Sequence, residues 1–260
     1  MISTIAQFSQ IDADPRKWID LTAAKQPNNV AIKRYLKEVE TVKTVDDFLK
    51  NDTVFRFALK AYGLQDMIYA KALIRKVLTE GIDSPSAFAN KFSDRRFSEL
   101  ASTFNFARYG EATTVFDKTR QGTVDKFLEV SLEEDAGNQS ENLRLALYFK
   151  RKALGITSPY QILADKALTR VTYAALNLPS TTSLASIDKQ AELLKSRIDF
   201  SLFSDRSRIS AFIQRFAALA DTATAGSSSP SAASLISASP SAILNPDILL
   251  SLQSMRNRSR

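Results

Sequence analysis

Apolar residues recur along most of the chain at helical intervals, and the runs are broken by proline, glycine and short polar caps. Pro15 stands at a first helical position ahead of Trp18, Ile19 and Leu21. After Pro27, a second run places Val30, Ile32, Tyr35, Val39 and Val42 close to helical spacing. Thr44 is an N-cap with Asp46 and Asp47 in the first turn, where carboxylates oppose the positive end of the helix dipole. Residues 52–62 repeat the pattern and stop at Gly63, a residue suited to the left-handed conformation that closes helices. The next stretch buries Leu64, Met67, Ile68, Ile74, Val77 and Leu78 and stops at Gly81. Ser84-Pro85 opens a short helix through Phe88 and Phe92, and Asp94 caps another carrying Phe97, Leu100, Ala101 and Phe104. Residues 110–122 form a connection. Further helices are predicted near 123–135, 140–154, 158–164 and 165–177; the strand-like alternation of LRLALYF runs into helix formers and is assigned to helix.

Residues 182–222 carry two apolar stripes: Leu184, Ile187, Ala191, Leu194 and Ile198, then Ile209, Phe212, Phe216 and Leu219. A polar link at Ser204-Asp205 joins them, which predicts an antiparallel helical pair. The stripes serve either the protein's own core, the favoured reading, or a seam for another chain, so self-association stays open. From residue 223 the chain turns Ser/Ala/Pro-rich and nearly uncharged, too poor in large apolar groups for a core of its own. Within it, Asn245-Pro246-Asp247 starts a short helix at 246–255 whose apolar face is Ile248, Leu249, Leu252 and Met255. That face is the candidate partner-docking site.

Three blocks recur in order. TVDDFL (44–49) returns as TVDKFL (123–128), and FRFAL with KAYGL (55–64) returns as LRLAL (143–147) with KALGI (152–156). DRRFSELASTFNF (94–106) returns as DKALTRVTYAALNL (165–178). The shared order suggests a duplication. The fold expectation is an all-α, multi-helix bundle-like body over 27–222, with repeat-like halves at 44–106 and 123–178. The helical pair completes that body; an N-terminal arm with a short helix (1–26) precedes it and the tail (223–260) follows. Phe55, Phe57, Leu64, Phe97, Phe104, Leu145, Leu147 and Leu168 are predicted to lie in cores.

Composition narrows the chemistry. Cysteine and histidine are absent, so thiolate nucleophiles, disulfides, His-ligated metals and imidazole bases are all excluded. Seven glycines in 260 residues leave little room for Gly-rich phosphate loops, and neither GxxxxGK[ST] nor GxGxxG occurs. The net charge of +7 is dispersed, and its densest cluster, Lys150-Arg151-Lys152, is expected on a solvated helix face rather than on nucleic acid. Ser186 and Lys189 match a nucleophile spacing, but the pair is expected to be ordinary helix surface. Glu133-Glu134-Asp135 lacks the alternating ligands of a calcium loop and is expected to be an acidic helix end before Gly137. No cofactor or metal site is expected. No signal peptide or membrane span is expected either, which points to a cytoplasmic or flagellum-associated chain.

TVDDFL, FALKAYGL, ALIRKVL, FANKFSDRRFSELASTFNF and ENLRLALYFKRKA together resemble the bacterial domain-of-unknown-function 1217 family, from about residue 27 to 220. The resemblance implies an association with the bacterial flagellum, and it carries no catalytic residues over. The expected function is therefore that of a non-catalytic structural or assembly protein contacting other flagellar proteins through helices. A cytosolic adaptor or chaperone-like module for a flagellar component is the alternative.

Overall fold

The computed structural model describes residues 3–92 and 94–228. Among them there is no strand, and the all-α expectation holds. The N-terminal segment, read as an arm with one short helix, holds two: α1 (Thr4–Ala13), capped by Ser3, and α2 (Pro15–Ala24), capped by Asp14. α3 (Gln26–Val39) follows directly. α4 (Val45–Lys50) opens on a capping box, in which the Thr44 hydroxyl accepts the Asp47 N–H and the Asp47 carboxylate accepts the Thr44 N–H. α5 (Asp52–Ala61) ends at Gly63, whose φ of +68° is the left-handed conformation expected there.

The 64–81 stretch is not one helix. It is a 3-10 turn at Gln65–Met67, a break, and then α6 (Lys71–Glu80). Gln65 in the turn donates to Glu134, Met67 and Ile68 are only half-buried, and Tyr69 stands in water. The predicted helix after Pro85 is likewise reduced to a 3-10 turn at Phe88–Lys91. There the Asn90 side-chain amide donates to the Ile82 and Ser84 carbonyls at 2.9 Å each, in place of backbone donors.

α7 (Arg95–Thr103), capped by Asp94, leads into the single turn α8 (Phe106–Tyr109). The 110–122 connection is two 3-10 turns pinned by buried threonines. The Thr114 hydroxyl donates to the Val42 carbonyl at 2.8 Å, and Thr119 donates to those of Thr113 and Phe116. The remaining elements are α9 (Gln121–Gly137), α10 (Glu141–Ala153), α11 (Pro159–Leu163), α12 (Lys166–Ala175), α13 (Ile187–Arg197) and α14 (Arg206–Ser228).

Two hydrophobic clusters make up the interior of the unit that ends at Ala220. Phe55, Phe57, Leu64, Phe97 and Phe104 lie in the first, and Leu145, Leu147 and Leu168 in the second, so all eight predicted core residues are buried. α9 runs through both. Its N-terminal half gives Val124, Phe127 and Leu128 to the first cluster and its C-terminal half gives Ala136 to the second. A helix touched on several sides cannot keep a single apolar stripe, and α9 buries Thr123, Ser131 and Glu133 as well. The N-terminal helices belong to this packing: Phe8 and Ile11 of α1 join the second cluster, and α2 lies on α9.

The stripes at 184–219 dock on the second cluster through Leu194, Ile198, Ile209, Ile213 and Phe216. The first stripe starts late, however. Leu184 falls in a 3-10 turn ahead of α13 and is 83% exposed, and Ile187 at the first position of α13 is 57% exposed. α14 continues to Ser228, past residue 223 where the tail was predicted to begin. A second unit begins at Asp221. The rest of the tail, with Ile248, Leu249, Leu252 and Met255, lies outside the described residues.

Candidate functional site

The densest basic cluster sits in the last turn of α10, where cations also favour the negative end of the helix dipole. The expectation of a solvated face does not hold. Successive helical side chains diverge by about 100°, so three neighbouring cations on an enclosed helix reach three different partners. Lys150 Nζ lies 2.5 Å from Asp12 Oδ1 before α2, Arg151 binds Glu133 of α9, and Lys152 Nζ lies 3.1 Å from Glu99 Oε1 of α7. The Arg151 guanidinium also stands 5.1 Å from the centre of the Tyr148 ring. Tyr148 in turn donates its hydroxyl hydrogen to Asp165 Oδ2 at 2.5 Å.

Burial disfavours the charged forms of Arg151, Lys152 and Tyr148, and their neighbours oppose it at the two cations and reinforce it at the tyrosine. Burial works against the Arg151 charge, but the bonds to Glu133 outweigh it and hold the guanidinium above its ordinary pKa. Burial pushes the Lys152 ammonium below the usual lysine value, only partly countered by Glu99. Tyr148 is raised by burial and by the carboxylate beside it. Glu129, one turn before Glu133, is exposed on the groove wall, where partial desolvation pushes it up against the pull of Arg151 and Lys126.

Two grooves open on either side of the seam. The first, about 830 Å³, runs between α1, α2, α9, α10 and α14, with Ile11, Ile19, Leu132 and Ile209 beside the Lys150–Asp12 and Arg151–Glu133 pairs. The second, about 730 Å³, is bounded by α7, α9, α10, α11 and α12 and includes Arg95, Glu99, Tyr148, Lys152 and Lys166. Lys126, Arg151 and Leu154 line both. Mixed apolar and charged walls of this kind can hold a peptide segment or a small polar ligand. Among the described residues no group of three acidic side chains is placed to hold a metal ion.

Ser186 and Lys189 form no catalytic pair: the Ser186 hydroxyl accepts the Lys189 backbone N–H as the N-cap of α13. The acidic triplet at the end of α9 divides among three partners. Glu133 goes to Arg151, Glu134 to Lys60 at 2.6 Å, and Asp135 to Lys25 at 2.7 Å. The sequence marked both charged triplets without pairing them, because their partners are set by helix packing rather than by spacing along the chain. The one local signal was the placement of Lys150-Arg151-Lys152 inside an apolar periodic run, which puts part of the cluster toward a core.

The description "Protein of unknown function (DUF1217)" matches the chain over residues 61–209. The crystal structure of a structural-genomics target from Agrobacterium tumefaciens is similar, with a TM-score of 0.77 and 36% identity, over 84% of this chain and 95% of that one. No curated protein matches the chain.

Proposed function

The chain belongs to the DUF1217 family of proteins of unknown function, and from that premise we propose that it is a structural or assembly protein, acting without catalysis through helix-mediated contacts with other proteins of the bacterial flagellum. One observation carries the contact role. Leu184 in the turn ahead of α13 and Ile187 at its first position face water, and Tyr160 of α11, 46% exposed, is tied to α13 by a 2.9 Å hydrogen bond from its hydroxyl to Asp188. Scattered exposed apolar residues need no explanation, but three large ones on the packed helices α11 and α13 and the turn just ahead of α13 form a surface that a partner can cover. The flagellar setting rests on the family resemblance carried by the sequence blocks.

The experiment is fractionation of cells expressing a tagged chain, alongside a variant carrying Leu184→Ser, Ile187→Ser and Tyr160→Ser. The wild-type chain is expected in purified hook–basal bodies, and the variant is expected to be lost from them with its circular dichroism and melting temperature preserved. A chain that stays soluble yet copurifies with one flagellar component would move the reading to the adaptor. A chain found in neither place would overturn both.

A further inference from the structure

The second groove holds more positive charge than its own carboxylates neutralise. Six cations line it: Arg95, Arg96, Lys126, Arg151, Lys152 and Lys166. Three are matched, Arg96 by Asp94 at 2.7 Å, Arg151 by Glu133 and Lys152 by Glu99. For Arg95, Lys126 and Lys166, no carboxylate lies within ion-pairing distance among the described residues. The remaining acid, Asp165, is already committed. One of its oxygens accepts the Ala167 and Leu168 N–H groups and the other takes the Tyr148 hydroxyl. The helix N-termini that open here, those of α7 and α12, are capped by Asp94 and Asp165, so the surplus comes from side chains and not from backbone ends. The crowding is felt inside the groove: Arg151 and Lys126 add to the burial that weakens the Lys152 ammonium.

The groove also has an apolar feature. Leu154 closes α10 and is followed by Gly155 at a φ of +85°, which turns the chain away toward Phe203 and leaves the leucine 48% exposed at the rim. Unmatched cations around an exposed leucine are complementary to carboxylates around an apolar side chain. A phosphate backbone fits less well, because Asp94, Glu99 and Asp165 interrupt the basic surface and would repel a continuous run of phosphates.

We propose that this groove docks an acidic, amphipathic segment of a partner protein, whose carboxylates meet Arg95, Lys126 and Lys166 while an apolar side chain covers Leu154. This deepens the reading above, on which it rests for the idea that the chain works by protein contacts.

The test uses the full chain and labelled synthetic peptides of about twenty residues, long enough for a helix of some 30 Å. One peptide carries Glu and Leu at helical spacing, a second replaces every Glu by Gln, and a single-stranded oligonucleotide of similar length is the third probe. Fluorescence anisotropy is expected to show binding of the acidic peptide that falls about tenfold or more with the Gln peptide. It should fall as much with the chain variant Arg95→Glu/Lys126→Glu/Lys166→Glu, and should weaken as salt is raised. Lys33→Glu, an exposed cation far along the chain, is expected to leave binding unchanged, and circular dichroism checks that each variant is folded. Leu154→Ser offers a second, charge-neutral probe and is expected to weaken the same peptide. Absence of acidic-peptide binding, indifference to the charge reversals, or equal binding of the oligonucleotide through the same residues would overturn the proposal. The fractionation separates the two levels. A charge-reversed chain that still enters basal bodies sinks the groove alone, whereas peptide binding by a chain with no flagellar association sinks the wider reading alone.

Discussion

Arg151 grips Glu133 at two points, Nε to Oε1 at 2.5 Å and Nη2 to Oε2 at 2.8 Å, with the two side chains only 15% and 8% exposed. Removing one partner of such a pair strands the other charge out of water, at about 3–5 kcal/mol, whereas replacing both by apolar groups of similar volume is often neutral. Arg151→Ala is therefore expected to lower stability by that amount. Arg151→Met with Glu133→Leu is expected to recover most of it. Urea unfolding of the three chains checks this, and a loss below about 1 kcal/mol for Arg151→Ala would place the pair among ordinary solvated ones.

Phe57 is sandwiched between two rings, each with its centre 4.1 Å away and inclined by 12°: Tyr35 of α3 on one side and Phe127 of α9 on the other. The stack therefore joins three helices. Phe57→Ala is expected to cost about 3–5 kcal/mol, from lost transfer energy and the cavity left behind. Tyr35→Phe keeps the stack but strands the buried Thr119 carbonyl that accepts the Tyr35 hydroxyl, at about 1–3 kcal/mol. Thermal melts rank the two. Equal losses would mean that the hydroxyl, rather than the stacking, secures the connection.

What the sequence revealed was mostly local. Thr44 and Asp94 cap helices because each needs only a backbone N–H two or three residues away, and Gly63 and Gly81 stop helices for an equally local reason. The break before α6 was hidden because Met67 and Ile68 continue an apolar rhythm across it, while Glu134, which anchors the turn, is remote in sequence. The start of α13 was misjudged because Leu184 and Ile187 share the spacing of Ala191 and Leu194 but meet no neighbour to cover them. The candidate site was the least legible part. Asp12, Glu99 and Glu133 come to the three cations of α10 from three separate segments, and nothing in their spacing announces it.

Gly81 and Gly155 provide a comparison within one molecule. Both have positive φ, +64° and +85°. A Cβ on Gly155 would meet nothing within 4 Å, whereas one on Gly81 would lie 2.8 Å from Asn105 Oδ1 and 3.0 Å from Ala107 Cβ. Asn105 cannot retreat freely, since it is buried and its Oδ1 caps α8 by accepting the Arg108 N–H. Gly155→Ala is expected to cost only the left-handed strain, about 1–2 kcal/mol. Gly81→Ala adds overpacking of about 1–3 kcal/mol. Chemical denaturation of the two variants measures the difference, and equal losses would show that the α8 turn yields.

Glu129 is expected to weaken the fold at neutral pH. Glu129 is exposed on the wall of the first groove, and the desolvation it meets there raises its pKa above the ordinary 4.5 despite the pull of Arg151 and Lys126. A group whose pKa is higher folded than unfolded holds its proton more tightly in the native state. Its contribution is complete below 4.5 and is lost as pH rises through the folded value, so at pH 7 the ionised carboxylate disfavours the native state. Glu129→Gln mimics the protonated form. It is expected to raise the melting temperature at pH 7, with the advantage shrinking toward zero as pH falls below 4.5. Melting curves of wild type and variant between pH 3 and pH 8 isolate this group, because all other titrations are common to both chains. A variant less stable than wild type at pH 7 would mean that the two cations outweigh the burial.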